Sequence, residues 1–225
     1  MIIYHGSEHV IKKPEYGKGE IRNDYGRGFY CTENIELAKE WAAGKGTDGY
    51  ANVYEFDDRD LKVLDLNSGE YDILTWLAIL VEHRTYWQSH SIAEQAKNYL
   101  RDNFLLDVNR YDVVRGYRAD DSYFSFAQDF VSGTISLRKL SQAMRLGKLG
   151  EQILLKSKKS FERIKYIGNE KADAFLYFDK KKIRDQLARK EYRENKNTAD
   201  TKDDIFIIDI IREGMVRGDE RLKWN

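Results

Sequence analysis

The sequence predicts an α+β fold, and three observations carry that expectation. Short runs rich in Ile, Val, Tyr and Leu read as strands, and longer amphipathic or charged runs read as helices. The two kinds form neither a clean βαβ series nor an all-β series. Pro14 is the one proline, so no helix beyond it meets a proline obstacle. With 225 residues and 41% hydrophobic content, the chain can bury a real core. The expected body therefore has strands that pair over long separations with helices inserted between them.

The strands expected are residues 1–5, 27–31, 50–56 (YANVYEF), 61–65, 111–115 (YDVVR), 151–156 (EQILLK) and 162–167, each short and β-branched or aromatic. Helical spacing predicts helices over 34–43, 70–84, 91–103, 119–132, 136–145, 179–196 and 203–215, with Thr32, Ser91, Ser136 and Asp203 as candidate caps. After about residue 178 the composition changes to KKKIRDQLARKEYRENKNTADTKDD, which predicts a body over 1–178 and a charged helical C-terminal extension over 179–225. Ile207, Ile208, Ile211 and Met215 fall on one helical face. That face must be covered, by the body as the simpler reading or by a partner's groove as the functional one.

Composition narrows the function classes. Lys plus Arg and Asp plus Glu both total 38, so no global imbalance points to nucleic acid or membrane. From Lys156 onward there are 19 basic and 14 acidic residues, a net of +5, which suits either solvated helical faces or a polyanion. No stretch approaches the roughly 18 to 20 apolar residues of a membrane span, and the N-terminus lacks the pattern of a secretory signal. The single cysteine, Cys31, excludes an internal disulfide and a cysteine-based metal cluster, which fits a cytoplasmic setting.

Two stretches carry chemistry. MIIYHGS ends a strand in His5, Gly6 and Ser7, bringing a polar ring, an uncluttered backbone and a hydroxyl to a strand tip. About twenty residues later, DYGRGFYCTENIELAKEWA sets Phe29 and Tyr30 between glycines and a helix that carries Trp41. Together they resemble the two N-terminal signatures of the ADP-ribosyltransferase superfamily, on the diphtheria-toxin and poly(ADP-ribose) polymerase side. More closely, the chain resembles an uncharacterised bacterial family of such domains, often found beside small antitoxin-like genes. That likeness covers residues 1–167, including ADDSYFSFAQDF and LGEQILLKSKKSF.

The resemblance implies a split-sheet ADP-ribosyltransferase-like body. It also implies NAD as co-substrate, an unidentified macromolecular acceptor, and a small antitoxin-like protein as a partner of a toxin or effector. The residue types suit that chemistry on their own terms. Breaking the nicotinamide–ribose bond creates an oxocarbenium-like centre and demands fixed geometry around ring, ribose and nucleophile. Gly6 lets backbone groups approach a planar carboxamide from its donor and acceptor sides. His5 can hydrogen-bond a ribose hydroxyl. Tyr30 can stack on the nicotinamide, and Trp41 can close the other side or simply belong to the core. Phe29 and Tyr30 alternate along the strand, so one of them faces the core. Gly26 and Gly28 keep that strand open to a ligand, and Asp24 either orders the glycine turn or touches adenosine.

Two departures stand out. Where poly(ADP-ribose) polymerases carry a helical serine that bonds the carboxamide, this chain has Ala38. The third superfamily residue is a glutamate on a later strand. Here Glu151 supplies the usual carboxylate, while Gln152, followed directly by Ile-Leu-Leu, fits the closer bacterial family and is preferred. Neighbours on a strand face opposite ways, so only one can serve. A glutamine there implies mono-transfer and slower chemistry, or a catalytically weak NAD- or ADP-ribose-binding module; an NAD glycohydrolase is a further alternative. Asp120 and Asp121 read as helix caps, and His83 and His90 lack a third ligand, so no metal is expected.

Overall fold

The computed structural model describes residues 1–85, 90–119, 121–146 and 150–222. The cap roles expected of Asp120 and the Asp121 side chain lie outside the described residues. Among the described residues the chain is mixed α and β, with two sheets. One sheet runs in the order β1 (Ile2–Ser7), β3 (Gly49–Phe56), β7 (Ile164–Ala172), all antiparallel. The other runs β2 (Phe29–Cys31), β6 (Glu151–Leu155), β5 (Val113–Tyr117), β4 (Val63–Asp65), antiparallel except for the parallel β4–β5 pair. Tyr4 and Thr32 exchange backbone hydrogen bonds of 2.8 and 2.9 Å and join the sheets edge to edge.

Side-chain alternation along β6 sorts its residues between two cores. Ile153 and Leu155 meet Phe29, Cys31, Tyr54 and Phe56 between the sheets. Leu154 faces a larger helical core built by α2 (Ile73–His83), α3 (Ser91–Phe104), α4 (Asp121–Val131) and α5 (Leu137–Ala143). Every residue of α2 from Leu74 to Val81 is buried, as a helix apolar on all sides must be. α1 (Ile35–Ala42) covers β1 and β3 from the other side, and α6 (Lys158–Glu162) is a single extra turn before β7.

Each expected strand and helix forms, and the differences lie at the ends. Asn34, not Thr32, caps α1: its side chain accepts from the N–H groups of Glu36 and Leu37, while the Thr32 hydroxyl accepts from Asn34. His90 rather than Ser91 caps α3, and Ser136 caps α5 as expected. The last helix, α8, spans only Ile207–Arg212, too late for Asp203 to cap it.

The C-terminal segment packs on the body. α7 (Ala174–Lys196) runs through residue 178 without a break. Ala188, Tyr192, Ile207, Ile210, Met215 and Leu222 join the same core as α2. Arg138 grips Asp204 with two bonds of 2.8 and 2.7 Å. The buried Lys139 donates to the Lys196 and Thr198 carbonyls and pairs with Asp200 at 2.7 Å. Of the expected face, Ile207 and Met215 are buried and Ile208 and Ile211 half-buried; Ile210, three residues on from Ile207 and so on the same helical face, takes the inner position. Among the described residues no helix is long and apolar enough to cross a membrane.

Candidate active site

A cavity of about 630 Å³ opens where the tips of β1 and β2 meet the start of β6, a size suited to a small-molecule ligand. His5, Gly6, Phe29, Tyr30, Trp41 and Gln152 all line it, drawn from three strands and a helix.

His5 is held by its backbone neighbour across the sheet junction. Nδ1 lies 2.6 Å from the Tyr30 carbonyl, which can only accept, so Nδ1 carries the proton and Nε2 is the ring's acceptor. Burial lowers the ring's pKa from its ordinary value, which keeps it neutral at pH 7. Phe29 stacks on the ring with centroids 4.2 Å apart and closes the core between the sheets. Tyr30 turns the other way. Its hydroxyl donates to the Gly26 carbonyl at 2.7 Å and accepts from the Tyr25 N–H at 3.0 Å, so the hydroxyl pins the turn and the ring lines the cavity. Burial pushes that phenol's pKa far up, and it stays neutral.

Gly6 serves in two directions. A Cβ there would collide with the Ala38 carbonyl oxygen, so the glycine, together with the fully buried Ala38, lets α1 seat against β1. The strand register sets its polar groups. Met1 and Phe56 exchange bonds of 2.8 and 2.9 Å, and alternation repeats that pairing at Ile3, His5 and Ser7. Gly6, like Tyr4, therefore turns its N–H and C=O to the far edge, where Thr32 takes those of Tyr4. Among the described residues no group takes those of Gly6.

Several expected site residues have other duties. Ser7 does not line the cavity: its hydroxyl donates to the His9 carbonyl and accepts from Asn52 Nδ2 at 3.2 Å, fastening the chain as it leaves β1. Gly28 borders the cavity, yet its lack of a side chain is required by β6, because a Cβ would strike Leu154 and Leu155. Glu151 is exposed, outside the cavity, and accepts from Asn67 Nδ2 at 2.9 Å. Gln152 is 3% exposed and lines the cavity, with Nε2 2.8 Å from Asp24 Oδ2. Strand alternation separates the two. Asp24 is an organiser of the wall, bonded also to Arg84 Nε at 2.9 Å and the Ala119 N–H at 2.9 Å.

Trp41 lies half-buried on α1, with the Arg118 guanidinium over its ring at 4.7 Å and its buried indole N–H without a partner among the described residues. His90 is a cap and His83 packs against Gly26, and among the described residues no group of three His, Cys, Asp or Glu side chains could hold a metal.

Sequence reasoning missed the cations. Lys13, Lys18, Arg84, Arg118 and Lys181 line the cavity against the acids Glu15 and Asp24. Glu15 pairs with Lys18 at 2.8 Å and Asp24 with Arg84 at 2.9 Å. With five basic side chains against two acidic ones, the lining carries a net positive charge, which suits an anionic ligand. No local pattern marks these residues; Arg84 is recognisable only as the first arginine or lysine after the apolar run of α2.

No curated protein and no solved structure matches the chain. A family model described as "Protein of unknown function (DUF3990)" matches residues 1–166, which include every cavity residue named above except Lys181, and the chain belongs to that family.

Proposed function

We propose that the protein is an NAD-dependent mono-ADP-ribosyltransferase with an ADP-ribosyltransferase-like fold, acting on a macromolecular acceptor as a toxin or effector. The observation that carries this reading is convergence. The residues named by the sequence resemblance, His5, Gly6, Tyr30, Trp41 and Gln152, share one cavity although they are up to 147 residues apart.

Each has a task in the reaction. The outward N–H and C=O of Gly6 match the acceptor and donor of a carboxamide, and the Tyr30 ring offers a face to the nicotinamide. Nε2 of the neutral His5 accepts from a ribose hydroxyl. Lys13, Arg118 and Lys181 suit the diphosphate. The bond from the ribose carbon to the nicotinamide nitrogen breaks with its electron pair leaving on nicotinamide. An acceptor nucleophile, which gives up its proton, then takes the ribose carbon.

The neutral Gln152 favours a second reading, a weak catalyst or an NAD-binding module acting through a protein partner such as a small antitoxin-like protein. Purified protein incubated with NAD labelled on its adenylate and with cell lysate separates these. Label in protein or nucleic acid is the expected result. Label only in free ADP-ribose marks a glycohydrolase, binding without turnover marks the module, and absence of binding overturns the NAD assignment.

A further inference from the structure

The polar cluster behind the cavity decides what Gln152 can offer a ligand. Its Nε2 lies 2.8 Å from Asp24 Oδ2 and 3.1 Å from the Tyr117 carbonyl. Both partners are acceptors, so the amide's orientation follows from chemistry: the NH₂ end faces them and Oε1 is left over. Neither partner is free to change role. Asp24 also receives Arg84 on Oδ1 and the Ala119 N–H on Oδ2, and the Tyr117 carbonyl also receives Trp76 Nε1 at 3.1 Å and the Tyr25 hydroxyl. A flipped amide would set an oxygen against two acceptors inside a buried wall.

We propose that Asp24 is a positioning residue that fixes Gln152 as an acceptor-only group, so that the cavity takes a ligand presenting a hydroxyl donor at that point. The negative charge that a carboxylate on β6 would bring to the site then sits one hydrogen bond behind it, on Asp24. Its application to a ribose hydroxyl of NAD rests on the function proposed above; the pairing itself does not.

The pairing has a consequence that simple charge complementarity lacks. A carboxylate cannot replace Gln152 alone, because Gln152→Glu would bring two carboxyl groups to the present 2.8 Å separation, and one of them would hold a proton. Its folded pKa is then raised above the unfolded value. Stability is therefore present at low pH and lost as pH rises through that folded value. Asp24→Asn/Gln152→Glu relieves the repulsion, since an asparagine amide can donate to the new carboxylate.

The test uses the full chain: thermal melts from pH 5 to 8 and calorimetric NAD binding for the wild type, Gln152→Glu, Asp24→Asn and the double variant. Other charged or titratable groups around the pair are Arg84, Arg118, Tyr25, Tyr30, His5 and His83, contributed by the surrounding loops, β1, β2 and α2. All are shared by every variant, so differences from the wild type isolate the pair. Gln152→Glu should lose stability relative to the wild type as pH rises, and the double variant should recover the wild-type slope. Asp24→Asn should weaken NAD binding about tenfold or more, as the Gln152 amide reorients to offer its NH₂. A wild-type pH profile in Gln152→Glu, or a double variant no better than that single variant, overturns the pairing. The melts retain this power even if Asp24→Asn does not fold. If the coupled pH behaviour is present while the wild type binds no NAD, the pairing stands and the NAD function falls.

Discussion

Gln152 and Leu154 project from the same face of β6 into different surroundings. Leu154 enters the helical core, where Leu74, Trp76 to Val81, Phe126, Phe130, Ile207 and Ile210 are all buried and apolar. Gln152 enters the cavity wall beside the buried, charged Asp24, and a second buried polar residue, Asn52, fastens the chain where it leaves β1. Asn52 alone accepts from the Ile11 N–H at 2.8 Å and donates towards the His5 and His9 carbonyls and the Ser7 hydroxyl. Apolar burial stabilises in proportion to area. Satisfied polar burial contributes little net stability but fixes geometry, since any lost partner leaves a costly orphan. The core therefore holds the fold, and the wall holds the geometry of the cavity. Damage to the core should appear in melting, and damage to the wall in ligand binding.

The largest expected effect tests the core. Removing residues 198–225 takes Ile207, Ile210, Met215 and Leu222 from it and breaks the Arg138–Asp204 and Lys139–Asp200 pairs. At roughly 1.5 to 3 kcal/mol for each large apolar side chain, the loss is on the order of 6 to 12 kcal/mol. That is comparable with a whole domain's stability. The truncated protein should show no cooperative melt near room temperature; a melt like that of the full chain would mean the segment is an appendage that serves a partner.

Tyr30 straddles the two regions, with its ring in the cavity and its hydroxyl pinning the Gly26 turn. Tyr30→Ala should weaken NAD binding by about 1 to 3 kcal/mol, the scale of a lost stack and its buried area. Tyr30→Phe should keep most of the affinity and lose about 1 kcal/mol of stability with the hydrogen bonds. Equal NAD affinity in a folded Tyr30→Ala variant, measured by calorimetry, would remove the ring from the site.

Acid should expose a smaller cost in the wall. Burial lowers the pKa of His5, and burial followed by the nearby Lys156 charge lowers that of His83. Below about pH 6.5 the unfolded chain binds the extra protons, so their contribution is present above that value and lost as pH falls towards the folded values. His5→Gln, whose amide can still donate to the Tyr30 carbonyl, removes one of these protons. The stability gap between wild type and His5→Gln should shrink between pH 7 and pH 5; a gap independent of pH would show that His5 titrates alike in both states.

Periodicity made the elements legible, and pairing decided what it missed. Residues 168–172, GNEKA, carry no strand alternation and belong to β7 because β3 offers them partners. α6 has five residues, too few to show a helical period. In the site, His5, Gly6, Tyr30 and Gln152 were legible because they sit in recognisable local stretches. The role of Asp24 was not, since its partners Arg84, Ala119 and Gln152 are 60, 95 and 128 residues away. The cavity cations share that difficulty, because a lysine or arginine gains meaning only from the elements that meet around it.

The smallest expected effect is the most direct comparison, because it concerns the neighbour of Gln152 on the same strand. Glu151 pairs across the sheet with Tyr117, is exposed, and its side chain accepts a hydrogen bond from Asn67. Exposed polar contacts of this kind contribute about 0.5 kcal/mol or less. Glu151→Ala should therefore melt within about that margin of the wild type and bind NAD with equal affinity. Gln152→Ala, which leaves Asp24 Oδ2 one donor short inside the wall, should lose NAD binding while retaining its fold. Impaired NAD binding in Glu151→Ala beside normal binding in Gln152→Ala would require β6 to sit one residue out of the register in which Gln152 opposes Gly116, exchanging the two faces of the strand.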